Sequence, residues 1–120
     1  MTNRELDQLV AEKVMGWKPY RNPDLKQDYF RWENAFGAIC SDADLPTYTT
    51  SIVAAWKIVE KMNQERWVMR LETWDTEAGC EFSRAETDQI VSHRTSCVDT
   101  APMAICIAAL KAKGIEVKDE

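Results

Sequence analysis

The sequence predicts a single α/β (α+β) domain over residues 1–120, built as a three-layer α/β/α sandwich with a small, mainly antiparallel sheet and three helices. Three observations predict this class. Apolar residues recur at helical spacing in three segments, they alternate with polar residues in another, and 120 residues are enough for one core. A small sheet needs cover for its apolar face, and three helices are more than one such face can hold. A one-sided α+β arrangement is the alternative.

The first helix is predicted over residues 3–15. Thr2 and Glu5 form a capping-box pattern at its start, with Asn3 as a rival cap. Gly16 is the residue at which this helix is expected to end. Between these limits one apolar stripe recurs at helical spacing and consists of Leu6, Leu9, Val10 and Val14.

The segment from Trp17 to Pro46 has the least regular pattern. Pro19 and Pro23 indicate turns, and the aromatic run at 28–32 predicts a short strand. A structureless connection of about 30 residues is long for a compact domain. We therefore expect this segment to hold one strand and a functional or variable loop.

The second helix begins after a cap at Thr49, Thr50 or Ser51. Its polar positions Lys57 and Glu60 are expected to face water. The predicted buried face consists of Ile52, Ala55, Trp56, Val59 and Met62.

The pattern then changes to the period of two that is typical of strands. Residues 67–74 alternate, with Trp67, Met69, Leu71 and Thr73 on the predicted inner face. A turn at 75–79 leads to a partner strand at 80–83, and 90–93 is a plausible third strand.

The third helix is the most apolar of the three. Thr100 or Asp99 is its predicted cap, Pro102 suits its first turn, and Gly114 is expected to end it. Residues 103–112 are apolar nearly all round, which is typical of a helix that packs against a sheet or another helix.

Charge and composition narrow the class of protein. The chain has 20 acidic and 15 basic residues, for a net charge of -5, which disfavours binding along an extended nucleic acid. No apolar run approaches the roughly 20 residues of a membrane span, and the first 13 residues are charged where a signal peptide is apolar. We expect a cytoplasmic protein that does not bind membranes and has no cofactor.

Three sequence blocks resemble one known family. The stretch YTTSIVAAWKIVEKM at 48–62 is similar to Y-S-T-D-I-A-A-A-W-x-V-V-E-K, and DTAPMAICIAALKAKGI at 99–115 is similar to D-T-A-P-x-A-I-C-x-A-A-L-K-A-x-G. The opening RELDQLVAEKVMGWK at 4–18 matches the start of the same proteins. These are the patterns of small phage and prophage proteins known as the phage "ABA sandwich" domain family.

The resemblance implies a three-layer α/β/α fold and a phage or prophage origin, typically in Firmicutes. The matched blocks cover close to half of the chain and consist mostly of core and cap residues. The segments 20–45 and 81–96 depart from the family patterns, and no catalytic residues are carried over. The resemblance therefore identifies a fold more than an activity.

Aromatic and arginine side chains interleave in the divergent part of the chain. Stacking on an aromatic ring beside a guanidinium is one way in which proteins hold a nucleobase and its phosphate. The alternative is a strand that buries its aromatic residues and exposes its arginine. The predicted ligand-binding residues are Trp17, Tyr20, Arg31, Trp32, Arg94 and Thr100. Trp56 and Trp67 are instead expected to pack in the core.

No convincing catalytic or metal-binding motif is found. His93 could pair with a thiol as a nucleophile or join cysteines in a zinc site, but the required local spacing is absent. We expect Cys40, Cys80, Cys97 and Cys106 to be free thiols and predict no metal site. Acidic pairs such as Asp42 and Asp44 are interpreted as solvated loop residues.

We therefore expect a phage-encoded binding protein and not an enzyme. In the favoured form, the protein is an anti-defence sponge that sequesters a nucleotide immune signal, and a homo-oligomer could bury that ligand between subunits. The alternative is an accessory module whose acidic surface binds a host or virion protein. A small nucleotide-cleaving enzyme that uses loop carboxylates is a third hypothesis.

Overall fold

The computed structural model describes residues 2–20, 31–34, 36–41, 44–95 and 97–117. Within these ranges, three helices supply most residues of the main hydrophobic cluster. The same ranges hold six strands in two separate sheets of three, where one sheet was expected. The helices are α1 (Asn3–Lys13), α2 (Ile52–Gln64) and α3 (Ala101–Ala112). The strands are β1 (Lys18–Tyr20), β2 (Arg31–Glu33), β3 (Ile39–Ser41), β4 (Val68–Thr73), β5 (Ala78–Glu86) and β6 (Gln89–Arg94).

Both sheets are antiparallel and have their strands in chain order. The predicted class of mixed helices and mainly antiparallel strands, with three helices, is confirmed. The first sheet (β1–β3) has only three residues in each strand, whereas β5 in the second sheet (β4–β6) has nine. The helix α2 stands between the two groups of strands in the sequence and packs on α3.

The helix α3 lies at the centre of the molecule. It packs against β5 and β6 on one side and also contacts α1 and α2. Its residues from Ala104 to Leu110 are all buried, in agreement with the apolar character on all faces. Alanines supply much of this segment, which lets neighbouring elements approach the helix closely.

Local signals set the helix ends. The side chains of Thr2, Ser51 and Thr100 accept hydrogen bonds from backbone N–H groups in the first turns of α1, α2 and α3. At the end of α3, the N–H of Ile115 donates to the carbonyl of Leu110 at 2.9 Å. Gly114 lies between them with φ of +83°, a conformation that favours glycine.

The second sheet has one buried face and one exposed face. Cys80 and Phe82 of β5 point toward α3 and are buried. Met69 and Leu71 are their partners on β4 and pack against the core, as the alternation predicted. Across the same register, the opposite face carries charged residues and the exposed Ile90.

Two expectations about the irregular segment need revision. One strand was expected between Trp17 and Pro46, but the described part contains three, and Pro19 lies within β1. Proline has no N–H to donate, and β1 is an edge strand of its sheet, where that loss is tolerated. The predicted strand at 28–32 is observed as β2 from Arg31, since residues 28–30 lie outside the described ones.

The described helices are all short: none has both the length and the apolarity that crossing a lipid bilayer demands.

Candidate functional site

The six predicted ligand-binding residues do not meet in one cavity. Trp17 lines a groove beside α2, Arg94 lies on the second sheet, and Thr100 caps α3. Tyr20 and Arg31 face each other as Cα partners between β1 and β2, but their side chains lie outside the described part. A single site that uses all six residues is therefore not formed in this structure.

Trp32 is a core residue. Its side chain is only 1% exposed and belongs to the main hydrophobic cluster. The expectation that Trp32 contacts a ligand is wrong, because the buried indole has almost no surface that a ligand could contact. The alternative interpretation, that this strand buries its aromatic residue, accounts for Trp32.

Arg94 is held in an ion-pair network on the exposed face of the second sheet. Its guanidinium lies 3.5 Å from the Glu72 carboxylate and 3.7 Å from that of Glu81. Glu72 also pairs with Arg70 at 3.1 Å. The charge of Arg94 is thus directed at protein carboxylates, which compete with any anionic ligand.

A largely apolar surface runs along the outer side of α2. Four of its large hydrophobic side chains are exposed by 45% or more of their area. We call the following residues the α2 surface: Phe36, Ile52, Val53 and Trp56. Val53 also lines a groove of about 810 Å³ between α2 and the turn after β2, together with Trp17 and Tyr48. This combination of a concave groove and exposed hydrophobic residues is typical of binding surfaces.

Trp56 shows where the sequence interpretation fails. We expected it in the core, but 49% of its area is exposed. The buried face of α2 is formed by Ala55, Ile58, Val59 and Met62. Ile52, Val53 and Trp56 form a second apolar stripe, and the signal for it was that both sides of the first two turns are apolar.

Two lysines give the α2 groove a positive edge. Lys57 and Lys61 both line it, on the same side of α2 as Val53. Lys57 is 3.7 Å from the Glu60 carboxylate, but both side chains are more than half exposed, so this pair is weak. The groove therefore offers an aromatic wall beside two ammonium groups and the Glu60 carboxylate, which lines it as well.

A second concavity, of about 710 Å³, lies where the first turns of α1 and α3 meet. We call it the interhelical cavity. Thr100 is in its wall, so a second predicted residue lines a concavity, but a different one from the groove that Trp17 lines. The wall is formed by Asn3, Leu6, Thr49, Thr50, Val98, Asp99, Thr100, Met103, Ile107, Glu116 and Val117.

Thr49, in the wall of this cavity, is hydrogen-bonded to α1. Its backbone N–H donates to Oδ1 of Asp7 at 2.8 Å, and both residues are buried. Tyr48, the preceding residue, faces the α2 groove instead. Burial raises the pKa of the Tyr48 hydroxyl, with Cys106 and Asp7 adding to the effect, so this phenol stays neutral.

Among the described residues, no hydrogen bond joins His93 to a cysteine thiol. The His93 ring packs edge-on against Trp67, with 5.6 Å between ring centroids. Burial and the Glu81 carboxylate raise the pKa of Cys80 to about 12, which disfavours the reactive thiolate. All four cysteines are free, and within the described ranges no three His, Cys, Asp or Glu side chains cluster as metal ligands would.

Comparison with known proteins identifies the family and the fold. The family described as "Phage ABA sandwich domain" matches residues 8–110 of the chain. A 2.0 Å crystal structure of a phage protein from Bacillus cereus ATCC 14579 is similar in fold, with a TM-score of 0.66 and 23% sequence identity. The similarity covers 98% of this chain and 93% of that protein. No curated protein is significantly similar to the chain.

Proposed function

Because the chain belongs to the phage ABA sandwich domain family, we propose that it is a phage protein that acts by binding and not by catalysis. In this proposal, its α2 surface binds a protein partner. The observation that carries this proposal is the exposure of large hydrophobic side chains on one side of α2. Protein interfaces concentrate their binding energy in such aromatic and aliphatic residues.

The position of this surface supports a specific contact. Phe36, on the turn after β2, is 95% exposed, and Val53 is 73% exposed. They flank a groove in which a partner side chain can be buried. Lys57 and Lys61 at the edge favour a partner with acidic residues around an apolar anchor. This differs from our expectation that the acidic surface of the chain makes the contact.

A matched pair of substitutions tests the proposal. Val53→Asp places a charge on the α2 surface, and Ile90→Asp places the same charge on the second sheet, where Ile90 is 78% exposed. Both variants should fold, since each original side chain is largely in water. Tagged parent and variant proteins are used to recover partners from phage-infected cells, and their oligomeric state is measured by light scattering.

We expect Val53→Asp to lose a stoichiometric partner that the parent and Ile90→Asp both recover. Loss of a central interface residue weakens binding by about 30-fold or more. Equal recovery by both variants would refute the role of the α2 surface. A parent that recovers no partner from infected cells and is a monomer would refute the protein-binding function itself.

The sequestration of a nucleotide signal is the second candidate function, and one observation favours it. Trp17 lies in the same groove as Lys57 and Lys61, so a base could stack beside ammonium groups that attract its phosphate. Isothermal titration with cyclic dinucleotides and cyclic ADP-ribose-type signals tests this. A sponge should release heat in the parent but not in Trp17→Ala, and chromatography should recover the ligand unaltered.

The titration separates the three hypotheses. Heat from a nucleotide that is recovered intact, in a protein without a protein partner, would favour the sponge. A nucleotide that is converted in amounts exceeding the protein would make the chain an enzyme. No heat across the panel would exclude these signals as ligands of the groove.

A further inference from the structure

The second sheet ends on each side in an edge strand. Within the part of the chain that the structure describes, β4 and β6 each pair only with β5. An edge strand presents backbone N–H and C=O groups that can pair with a further strand. On β6 one of these groups is already bound, since Nζ of Lys111 on α3 donates to the Arg94 carbonyl at 3.4 Å. On β4 the described residues show no such contact, so β4 is the more open edge.

The hydrogen-bonding pattern of the sheet shows which residues of β4 point to that edge. Ala78 of β5 is the register partner of Thr73, and it exchanges both of its backbone hydrogen bonds with Val98, at 2.7 and 2.9 Å. Its N–H and C=O groups therefore point away from β4. Because bonded and non-bonded pairs alternate in an antiparallel ladder, Met69, Leu71 and Thr73 direct their own N–H and C=O groups away from β5.

Two antiparallel copies of β4 match each other when a two-fold axis passes through Leu71. In this register Met69 of one copy bonds to Thr73 of the other, and Leu71 bonds to its own counterpart, so the outward groups of all three residues are satisfied. Arg70 then lies opposite Glu72 of the second copy, and opposite charges stabilise a cross-strand pair. Centring the pair on Arg70 or on Glu72 instead would place like charges opposite each other, which is destabilising.

The exposed face of β4 is also complementary to itself at its ends. Val68 is 67% exposed and Trp74 is 50% exposed, and the same register places Val68 opposite Trp74 of the second copy. Trp74 lies on this face, since its Cζ3 is 3.7 Å from the position that a Cβ on Gly79 would take. An aromatic residue opposite a β-branched one is a favourable pair. The Arg70 side chain is 72% exposed, so its weak ion pair with Glu72 of its own chain leaves it free to reach the second copy.

We infer that two copies of this chain pair through β4 and join their second sheets into one antiparallel sheet of six strands. The occupant of this edge is thus a second copy of the chain, and the contact is separate from the α2 surface. Because β4 has only six residues, the contact is smaller than the interface of a permanent dimer. We expect a reversible dimer with a Kd on the order of 10 μM.

Concentration provides the first test. Sedimentation velocity of the parent between about 1 μM and about 500 μM should show a monomer that converts to a dimer. Amide hydrogen exchange, measured by NMR at about 20 μM and about 500 μM, then identifies the edge. Exchange at Met69, Leu71 and Thr73 should be slower by about threefold or more at the higher concentration. Exchange at Arg70 and Glu72 should change far less, since their N–H groups bond to β5 in the monomer as well.

Two matched substitutions test the strand. Val68→Asp and Ile90→Asp each place the same charge on the exposed face of the second sheet, the first on β4 and the second on β6, where Ile90 is 78% exposed. Val68→Asp should weaken the dimer by about tenfold or more. Ile90→Asp should sediment as the parent does. A thermal melt of each variant shows that the fold is intact.

Charge reversal tests the register. Arg70→Glu places acidic residues opposite each other across the axis, and Glu72→Arg places basic residues there. Each variant alone should therefore dimerise about tenfold more weakly than the parent. An equimolar mixture restores both opposite-charge pairs in a heterodimer, so the two variants together should dimerise about as well as the parent. A fluorescent dye on one variant follows the heterodimer by sedimentation.

A parent that stays monomeric up to about 500 μM would overturn the inference, and so would a dimer that leaves exchange at the three outward amides of β4 unchanged. Equal weakening by Val68→Asp and Ile90→Asp would also contradict it, as would a mixture no more dimeric than its components. A dimer that is lost in Val53→Asp but kept in Val68→Asp would assign the contact to the α2 surface instead. Failure of the β4 dimer leaves the protein partner proposed for the α2 surface unaffected.

Discussion

Substitution of Asp7 should reveal how strongly one buried hydrogen bond holds α1 against the segment before α2. The Asp7 side chain is 3% exposed, and its Oδ1 accepts the backbone N–H of Thr49 at 2.8 Å. In Asp7→Ala this bond is lost, and the N–H of Thr49 is left buried without an acceptor. Asp7→Asn keeps an oxygen at the same place and provides the matched control.

The expected loss in the free energy of unfolding has two contributions, the lost hydrogen bond and the buried N–H that is left without an acceptor. A hydrogen bond to a charged group contributes about 1.5–3 kcal/mol, and an unsatisfied buried donor costs about 1–3 kcal/mol. Because the two overlap, we expect Asp7→Ala to lower the free energy of unfolding by about 2–4 kcal/mol. Asp7→Asn should stay within about 1 kcal/mol of the parent, since a neutral bond replaces the charge-assisted one and no charge is buried.

Urea denaturation followed by circular dichroism measures both variants. With a slope of about 2 kcal/mol per molar urea, the midpoint of Asp7→Ala should fall by about 1–2 M. A loss below about 0.5 kcal/mol in Asp7→Ala, the range of ordinary surface substitutions, would show that this bond does not hold α1 in place. A loss in Asp7→Asn as large as that in Asp7→Ala would show that the charge itself, and not the bond, is required.

Four further predictions follow from the fold. Gly79→Ala adds a Cβ that makes ordinary contacts, so it should be neutral or stabilising by up to about 1 kcal/mol. Gly114→Ala, at φ of +83°, should cost about 1–2 kcal/mol in the same urea assay. Ala108→Leu overfills a fully buried position of α3 and should cost about 1–3 kcal/mol, seen as a lower melting temperature. At pH 8 a thiol reagent should label the exposed Cys97 rapidly but Cys106 only after denaturation. Burial and the nearby Asp7 raise the pKa of Cys106, so its thiol stays protonated and unreactive. Rapid labelling of Cys106 in the native protein would contradict its burial.

The helices could be predicted from the sequence because their signals are local. The caps at Thr2, Ser51 and Thr100 lie within a few residues of the groups they satisfy. The alternation in β4 likewise identified its buried face. By contrast, β1 and β3 have three residues each, which is too few to show a period, and the proline in β1 resembles a turn signal.

The candidate sites were harder to predict because they depend on contacts between distant residues. Trp17, Phe36 and Val53 form one groove, although 36 positions separate the first from the last. Trp56 was misplaced because the start of α2 is apolar on two sides, and only packing on α3 decides which side is buried.

The central position of α3 has a consequence for the order in which the protein can fold. Every element that α3 contacts precedes it in the chain, so a ribosome synthesises the residues of both sheets and of the other two helices before residues 101–112 exist. At about 5–20 residues per second, synthesis leaves those earlier surfaces uncovered for seconds. Nascent chains that stall before Ala101 should therefore be targets for chaperones and proteases, and full protection should arrive only with the last helix.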